Sequence, residues 1–279
     1  MCEQPGDWIF VDWAENLDKE GPICIEQILF AKALETLAEL GSILGYEISS
    51  YHSRAIKVME KLKLLYWSEE KGAFIDSFCS GKSTVTRQTN LFALRFGIAD
   101  DRQAEQIRKN VLDNEAIPAI TTPYFKFYEL ETLCAMGRQE DVTERMLAYW
   151  GGMLRLGATS FWEEYDPSLN SGEHLHMYGK PYGKSLCHAW GASPIYLLGR
   201  FYLGVTPQEP GYRSYVVEPK LSGLNWMKGA VPVPGGLVRV SVTPDRIEVL
   251  SDITGGILKV GAKQIPIEAG KPTVVDLQL

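Results

Sequence analysis

ISSYHSRAIKVMEKLKLL, residues 48–65, and TNLFALRF, residues 89–96, are helical patterns of opposite kinds. In the first, Ile48, Tyr51, Ala55, Val58, Leu62 and Leu65 step by three and four, which draws one apolar stripe on an otherwise charged helix. The second is apolar nearly all round. The same contrast recurs along the chain. Ala104, Ile107, Val111 and Leu112 make another stripe, as do Val142, Met146, Trp150 and Met153, whereas Tyr124–Met136 and Cys187–Leu203 carry few charges. A helix buried on every side needs no polar face, and an outer helix needs one. Alternation of the two describes hairpins of inner and outer helices, and a ring of such hairpins is an α/α toroid. An irregular helical bundle is the alternative. About seven helices are legible, where a six-hairpin ring holds about a dozen, so the sequence reads as a C-terminal piece of a partial (α/α)6 toroid.

Beyond Gly204 the period changes. Pro207, Pro210 and Gly211 break the helical pattern, and Pro232, Pro234, Gly235 and Gly236 mark a later turn. Residues 237–242 and 246–250 alternate with period two, and short strands are expected at 257–260, 264–267 and 273–277. This predicts a small antiparallel β-sandwich over residues 205–279, with the helical domain over 1–204. Aromatics and carboxylates are sparse in the sandwich, which gives it a structural role.

Composition narrows the class. The 279 residues are 45% hydrophobic and carry 28 basic against 35 acidic side chains, a net charge of −7. That mild acidity speaks against a nucleic-acid or anionic-membrane surface. The sequence contains no apolar run of membrane-spanning length, and MCEQPGDWIF is not a signal peptide. Cys2, Cys24, Cys79, Cys134 and Cys187 are odd in number and widely spaced, with no CxxC pair. They read as reduced core thiols, which points to the cytoplasm.

Three clusters could carry chemistry. Gly157-Ala-Thr-Ser-Phe-Trp-Glu-Glu-Tyr-Asp-Pro167 packs Glu163, Glu164 and Asp166 among Phe161, Trp162 and Tyr165. Aromatic faces stack on sugar rings while a carboxylate activates water or protonates a leaving oxygen, so the mixture suits a glycosidase. A helix N-cap with solvated acids is the competing reading. Ser185-Leu-Cys-His-Ala-Trp-Gly-Ala-Ser-Pro194 is expected to open an inner helix with His188 and Trp190 in its first turns. A zinc site from His174, His176 and His188 is the weaker reading, and no metal or other cofactor is expected. Thr121-Thr-Pro-Tyr-Phe-Lys-Phe-Tyr-Glu129 begins another inner helix, where Tyr124 and Phe125 are placed for substrate contact.

Taken together these motifs resemble the bacterial α-L-rhamnosidases of glycoside hydrolase family 78. The resemblance is carried by Gly6-Asp7-Trp8, the Thr-Pro-Tyr-Phe helix, Thr-Ser-Phe-Trp-Glu163, Ser-Leu-Cys-His188-Ala-Trp-Gly-Ala-Ser-Pro and the ending from Val-Glu-Pro219 through Trp226 to Gly235. It implies a six-hairpin (α/α)6 barrel and an inverting mechanism, with Glu163 as general base and His188 on the sugar. It also implies that Trp8 lines the pocket, and Asp7, Tyr124 and Trp162 are the further candidates for substrate contact. A pocket lined by aromatics suits the methyl group of rhamnose. The family's general acid lies in a motif upstream of Gly-Asp-Trp, and nothing in this sequence matches it. Asp7, Asp12 and Glu15 are the nearest substitutes. The expected protein is therefore a rhamnoside-binding fragment, weak or inactive alone, that self-associates through exposed barrel surface. A non-catalytic carbohydrate-binding protein is one alternative. Another is an α/α-barrel hydrolase for a different sugar or a lyase, the lyase being disfavoured by the few basic residues (Lys180 and Lys184) near the clusters.

Overall fold

The structure, a computed structural model, describes residues 9–14, 16–170 and 172–277. Asp7, Trp8 and Glu15 lie outside the described residues. The chain divides into two compact units, residues 1–132 and 133–279.

In the first unit, α1 (Cys24–Ile43) and α2 (Ser49–Tyr66) form a helical hairpin. The stripe on α2 is narrower than its pattern: Ala55 and Leu62 are buried, while Tyr51 and Leu65 stay exposed. A short ribbon, β1 (Trp67–Ser68) with β2 (Ala73–Phe74), leads to α3 (Arg87–Arg95). Thr86 caps α3 by accepting from the Thr89 amide. The residues of α3 from Arg87 to Ala93 are all buried, as an inner helix requires, but the first four are polar. Each has its partner: Arg87 donates to the Leu112, Asn114 and Ile117 carbonyls, Gln88 to Asp12, Thr89 to Asp76, and Asn90 to Phe74 and Thr86. Helix α4 (Asp101–Ile107) opens on an Asp100–Gln103 capping box. It runs into a π-helical turn, Arg108–Leu112, whose extra residue makes the spacing of Val111 and Leu112 irregular. Helix α5 spans Pro123–Ala135.

In the second unit, which takes in the last residues of α5, helix α6 (Gln139–Arg155) buries Val142, Trp150 and Met153. The expected apolar helix from Cys187 is shorter than its pattern. Pro194 sets the start, so α7 covers only Ser193–Leu197 and continues as a π turn, Leu198–Tyr202. Strands follow from Val205. One sheet has the order β10 (Pro272–Asp276), β7 (Arg246–Ser251), β6 (Gly236–Thr243), β5 (Met227–Val233), and the other β3 (Val205–Pro207), β4 (Tyr215–Val217), β8 (Gly256–Val260), β9 (Lys263–Ile267). Val238, Val240, Val242, Ile247 and Val249 alternate into the core, and the Tyr215 hydroxyl bonds Ser251 across the sheets. The expectation of a purely antiparallel sandwich fails at one pair: β4 and β8 run parallel. The three strands between them form hairpins in the other sheet and serve as the crossover that a parallel pair needs. Among the described residues no helix is long and apolar enough to cross a membrane. Cys24 and Cys134 are buried thiols, but Cys79 and Cys187 are exposed, contrary to their reading as core residues.

Asp76 is the polar hub of the first unit. Only 1% exposed, it accepts from Thr86 Oγ1 at 2.7 Å, Thr89 Oγ1 at 2.5 Å and the Asp18 amide at 3.2 Å. Burial pushes its carboxyl up to about 6 against those hydrogen bonds, and the Asp18 charge adds to the rise. The folded chain thus binds the proton more tightly than the unfolded one. The stability this contributes is complete below the ordinary carboxylate value and is lost as pH climbs through 6. Between pH 4 and 7, wild type should lose about 2 kcal/mol more unfolding free energy than Asp76→Asn, measured by urea titration at each pH.

Candidate active site

The chain leaves α6 through Gly157, at φ +87°, and enters an irregular segment, Phe161–Glu163, that bends at Glu163. A second segment, Ser185–His188, is laced to it. The Glu163 amide donates to the Ser185 carbonyl at 2.9 Å and the His188 amide to the Phe161 carbonyl at 2.7 Å. The Trp190 indole donates to the Glu163 carbonyl at 2.9 Å, and the Trp150 indole holds the Gly191 carbonyl at 2.8 Å. Gly191 makes the approach possible, because a Cβ there would stand 2.8 Å from the Trp162 carbonyl oxygen. Two motifs over twenty residues apart are in this way stitched into one surface.

Glu163 is buried, at 4% exposure. Its Oε2 accepts from the Ser185 amide at 3.0 Å, and its Oε1 accepts from the Tyr178 hydroxyl. His188 Nδ1 lies 3.9 Å from Oε2, beyond hydrogen-bond length, and its ring leans on Trp190 with centroids 4.5 Å apart. His188 and Trp190 are half-buried, so their ring faces remain partly open.

Trp162, expected on the sugar, turns the other way. It is buried and lines a separate hollow of about 250 Å³ with Leu156, Leu175 and Leu186. The chain bends at Glu163, and Glu163 does not line that hollow. The aromatics that meet Glu163 are Tyr178, at its carboxylate, and Trp190, at its backbone carbonyl. Tyr178 and Trp190 are the residues that sequence reasoning left out of the site. Tyr178-Gly179 gives a turn signal but no hint of the partner.

The remaining acids have other occupations. Glu164 pairs with the fully buried Lys184 ammonium at 3.2 Å. Asp166 bonds Ser168, which holds its carboxyl below the usual range, and Glu173 is held low in the same way by Asn170. The three histidines read as a possible zinc set do not converge. His174 is buried and stacks on Tyr165, His176 is exposed, and His188 faces Glu163. Among the described residues no group of three or more His, Cys, Asp or Glu is arranged to hold a metal ion.

In the first unit, Tyr124 is half-buried and stacks on Phe10, lining a hollow of about 370 Å³ with Val11, Leu29, Phe92 and Phe125. Burial and the neighbouring Tyr128 push its phenol up to about 12. Asp12, weighed as a substitute acid, accepts from Thr122 at 2.5 Å, Gln88 at 3.0 Å and the Trp13 amide at 2.9 Å. Burial raises its carboxyl against these bonds. These bonds tie the N-terminal segment to α3 and to the start of α5.

Residues 2–201 match the bacterial alpha-L-rhamnosidase 6 hairpin glycosidase domain. The chain belongs to that family. It is similar to the family 78 rhamnosidase of Bacillus sp. GL1, with 28% identity and a TM-score of 0.72 over 87% of this chain and 25% of that one. It shares its fold with a Klebsiella oxytoca rhamnosidase with rhamnose bound (23% identity, TM-score 0.57, 68% of this chain and 36% of that one). The same holds for an α-L-rhamnosidase from Aspergillus terreus (17% identity, TM-score 0.70, 89% and 29%). A comparison with curated proteins finds no match. This rhamnosidase-family chain spans between 25% and 36% of the length of those solved structures.

The Lys184–Glu164 pair gives a stability test beside the site. Removing the carboxylate strands a buried cation, whereas replacing the lysine with an apolar chain does not. Glu164→Ala should cost about 2–4 kcal/mol and Lys184→Met under about 1 kcal/mol, read by urea unfolding at pH 7.

Proposed function

We propose that the chain supplies the water-activating half of an inverting α-L-rhamnoside hydrolase, with Glu163 as general base and His188 and Trp190 on the sugar. The observation that carries this reading is the Glu163 carboxylate, buried beside a half-open histidine and tryptophan with a donor on each oxygen. A carboxylate set to accept is what a base needs. Such hydrolysis also calls for a second carboxyl, about 6.5–9.5 Å away, to protonate the leaving oxygen. The three acids nearest after Glu163 in sequence are poor proton donors. Glu164 is paired with a cation, and Asp166 and Glu173 are held in their charged forms. We therefore assign the acid to sequence beyond this chain and expect little hydrolysis from the chain alone.

The family match over residues 2–201 supports a partial six-hairpin ring over residues 1–204, and the two four-stranded sheets support a β-sandwich over 205–279. Asp7 and Trp8 belong to the proposed pocket by family resemblance. Exposed Leu37, Leu40 and Ile43 on α1 suit self-association, which sedimentation would reveal as a species heavier than 31.2 kDa.

The test is calorimetry with L-rhamnose, joined to an assay on an aryl α-L-rhamnoside. Wild type should bind the sugar, and Trp190→Ala and Glu163→Gln should each weaken it about tenfold or more. Binding that survives Glu163→Gln unchanged points to a non-catalytic sugar site. Hydrolysis by the chain alone, abolished in Glu163→Gln, would place the acid within it.

A further inference from the structure

Between the two laced segments lies a hairpin with an unusual turn. Met177 and Lys180 exchange both backbone hydrogen bonds, at 3.1 and 2.9 Å, leaving Tyr178 and Gly179 as the loop. Their φ angles are +53° and +70°, the left-handed pair of a type I′ turn. Asparagine, aspartate or glycine takes the first position readily, whereas a tyrosine is strained there. Gly183 folds back against the turn so closely that a Cβ would stand 2.1 Å from the Met177 carbonyl oxygen. The tyrosine is not held by burial, since it is 58% exposed. Its hydroxyl nevertheless ends on Glu163 Oε1.

The other carboxylate oxygen is fixed by the Ser185 amide. One donor on each oxygen, from two separate chain segments, prevents the carboxylate plane from turning about its last, soft torsion. We propose that Tyr178 is a positioning residue for Glu163, its hydroxyl locking the carboxylate plane against the Ser185 amide so that the remaining lone pair of Oε1 keeps one direction. The role of that lone pair, accepting a proton from the attacking water, rests on the reading of Glu163 as general base. The bond to Glu163 also pushes the phenol up to about 12, so it stays a donor far above neutral pH.

The clamp can be tested in the chain as it stands, labelled with ¹³Cζ-tyrosine. The Tyr178 resonance is the one missing from Tyr178→Phe. At pH 11 it should remain mostly protonated in wild type and mostly ionised in Glu163→Gln, as midpoints near about 12 and about 10 require. Tyr178→Phe should leave the thermal midpoint within about 2 °C of wild type and weaken L-rhamnose binding about fivefold, because the freed carboxylate must be ordered on binding. A Tyr178 phenol that is ionised at pH 11 in wild type, or still protonated in Glu163→Gln, overturns the contact. Full affinity in Tyr178→Phe overturns the positioning. A wild type that binds no L-rhamnose while Tyr178 titrates as expected refutes the sugar reading and leaves the clamp on Glu163 standing.

Discussion

Everything at the candidate site depends on the backbone lacing of residues 161–163 to residues 185–188. Those hydrogen bonds bring a carboxylate from one motif and a histidine and tryptophan from another into contact without a helix beneath either. A site on irregular backbone needs every polar group answered, since buried amides and carbonyls left open are costly. Here the answers double as functional geometry. The Ser185 carbonyl takes the Glu163 amide, the Ser185 amide takes the Glu163 carboxylate, and the Glu163 carbonyl takes the Trp190 indole. Glycine at 191 is the condition for this closeness, and Trp150 on α6 pins that glycine in place.

The same local rules sort three carboxylates that stand together in sequence. Glu163 faces two neutral donors and an imidazole, Glu164 faces a buried ammonium, and Asp166 closes a turn on Ser168. Composition gives them equal standing. What separates them is the partner that each finds within reach. Trp162 lines a separate hollow, and Trp190, which arrives from the other segment, holds the Glu163 backbone carbonyl.

Helical periodicity made most of the fold legible. The stripes over 48–65 and 142–153 and the apolar run over 89–96 mark α2, α6 and α3. Two things escaped. The polar residues at 87–90 are as buried as the apolar ones after them, because each finds a specific acceptor or donor, and pattern reading cannot see such partners. Strands β3 and β4, of three residues each, are too short for a period to register, so the parallel pair they support was missed as well. At the site, Glu163 and His188 were singled out by residue type and by motif. Tyr178 was not, because its contribution depends on a left-handed backbone at a two-residue turn and not on any spacing to Glu163.

The β-sheet region has a physical route to the site even though it lends no side chain to it. Ser222, in the loop before β5, accepts from Thr143 of α6 at 2.8 Å. The same hydroxyl meets Tyr202, which ends the π turn and donates to the Gln139 carbonyl at 2.9 Å. Tyr202 is fully buried, and burial raises its phenol, so it remains a neutral donor. One cluster thereby fixes α6 at its first turns, the π turn after α7, and the approach to the sheets. Helix α6 then carries Trp150 to the Gly191 carbonyl and delivers the chain into Phe161–Glu163. Hydrogen bonds thus run from the loop before β5 through Thr143 and Tyr202 to the helix that leads to Glu163, which is the kind of support that a site built on irregular and turn backbone requires.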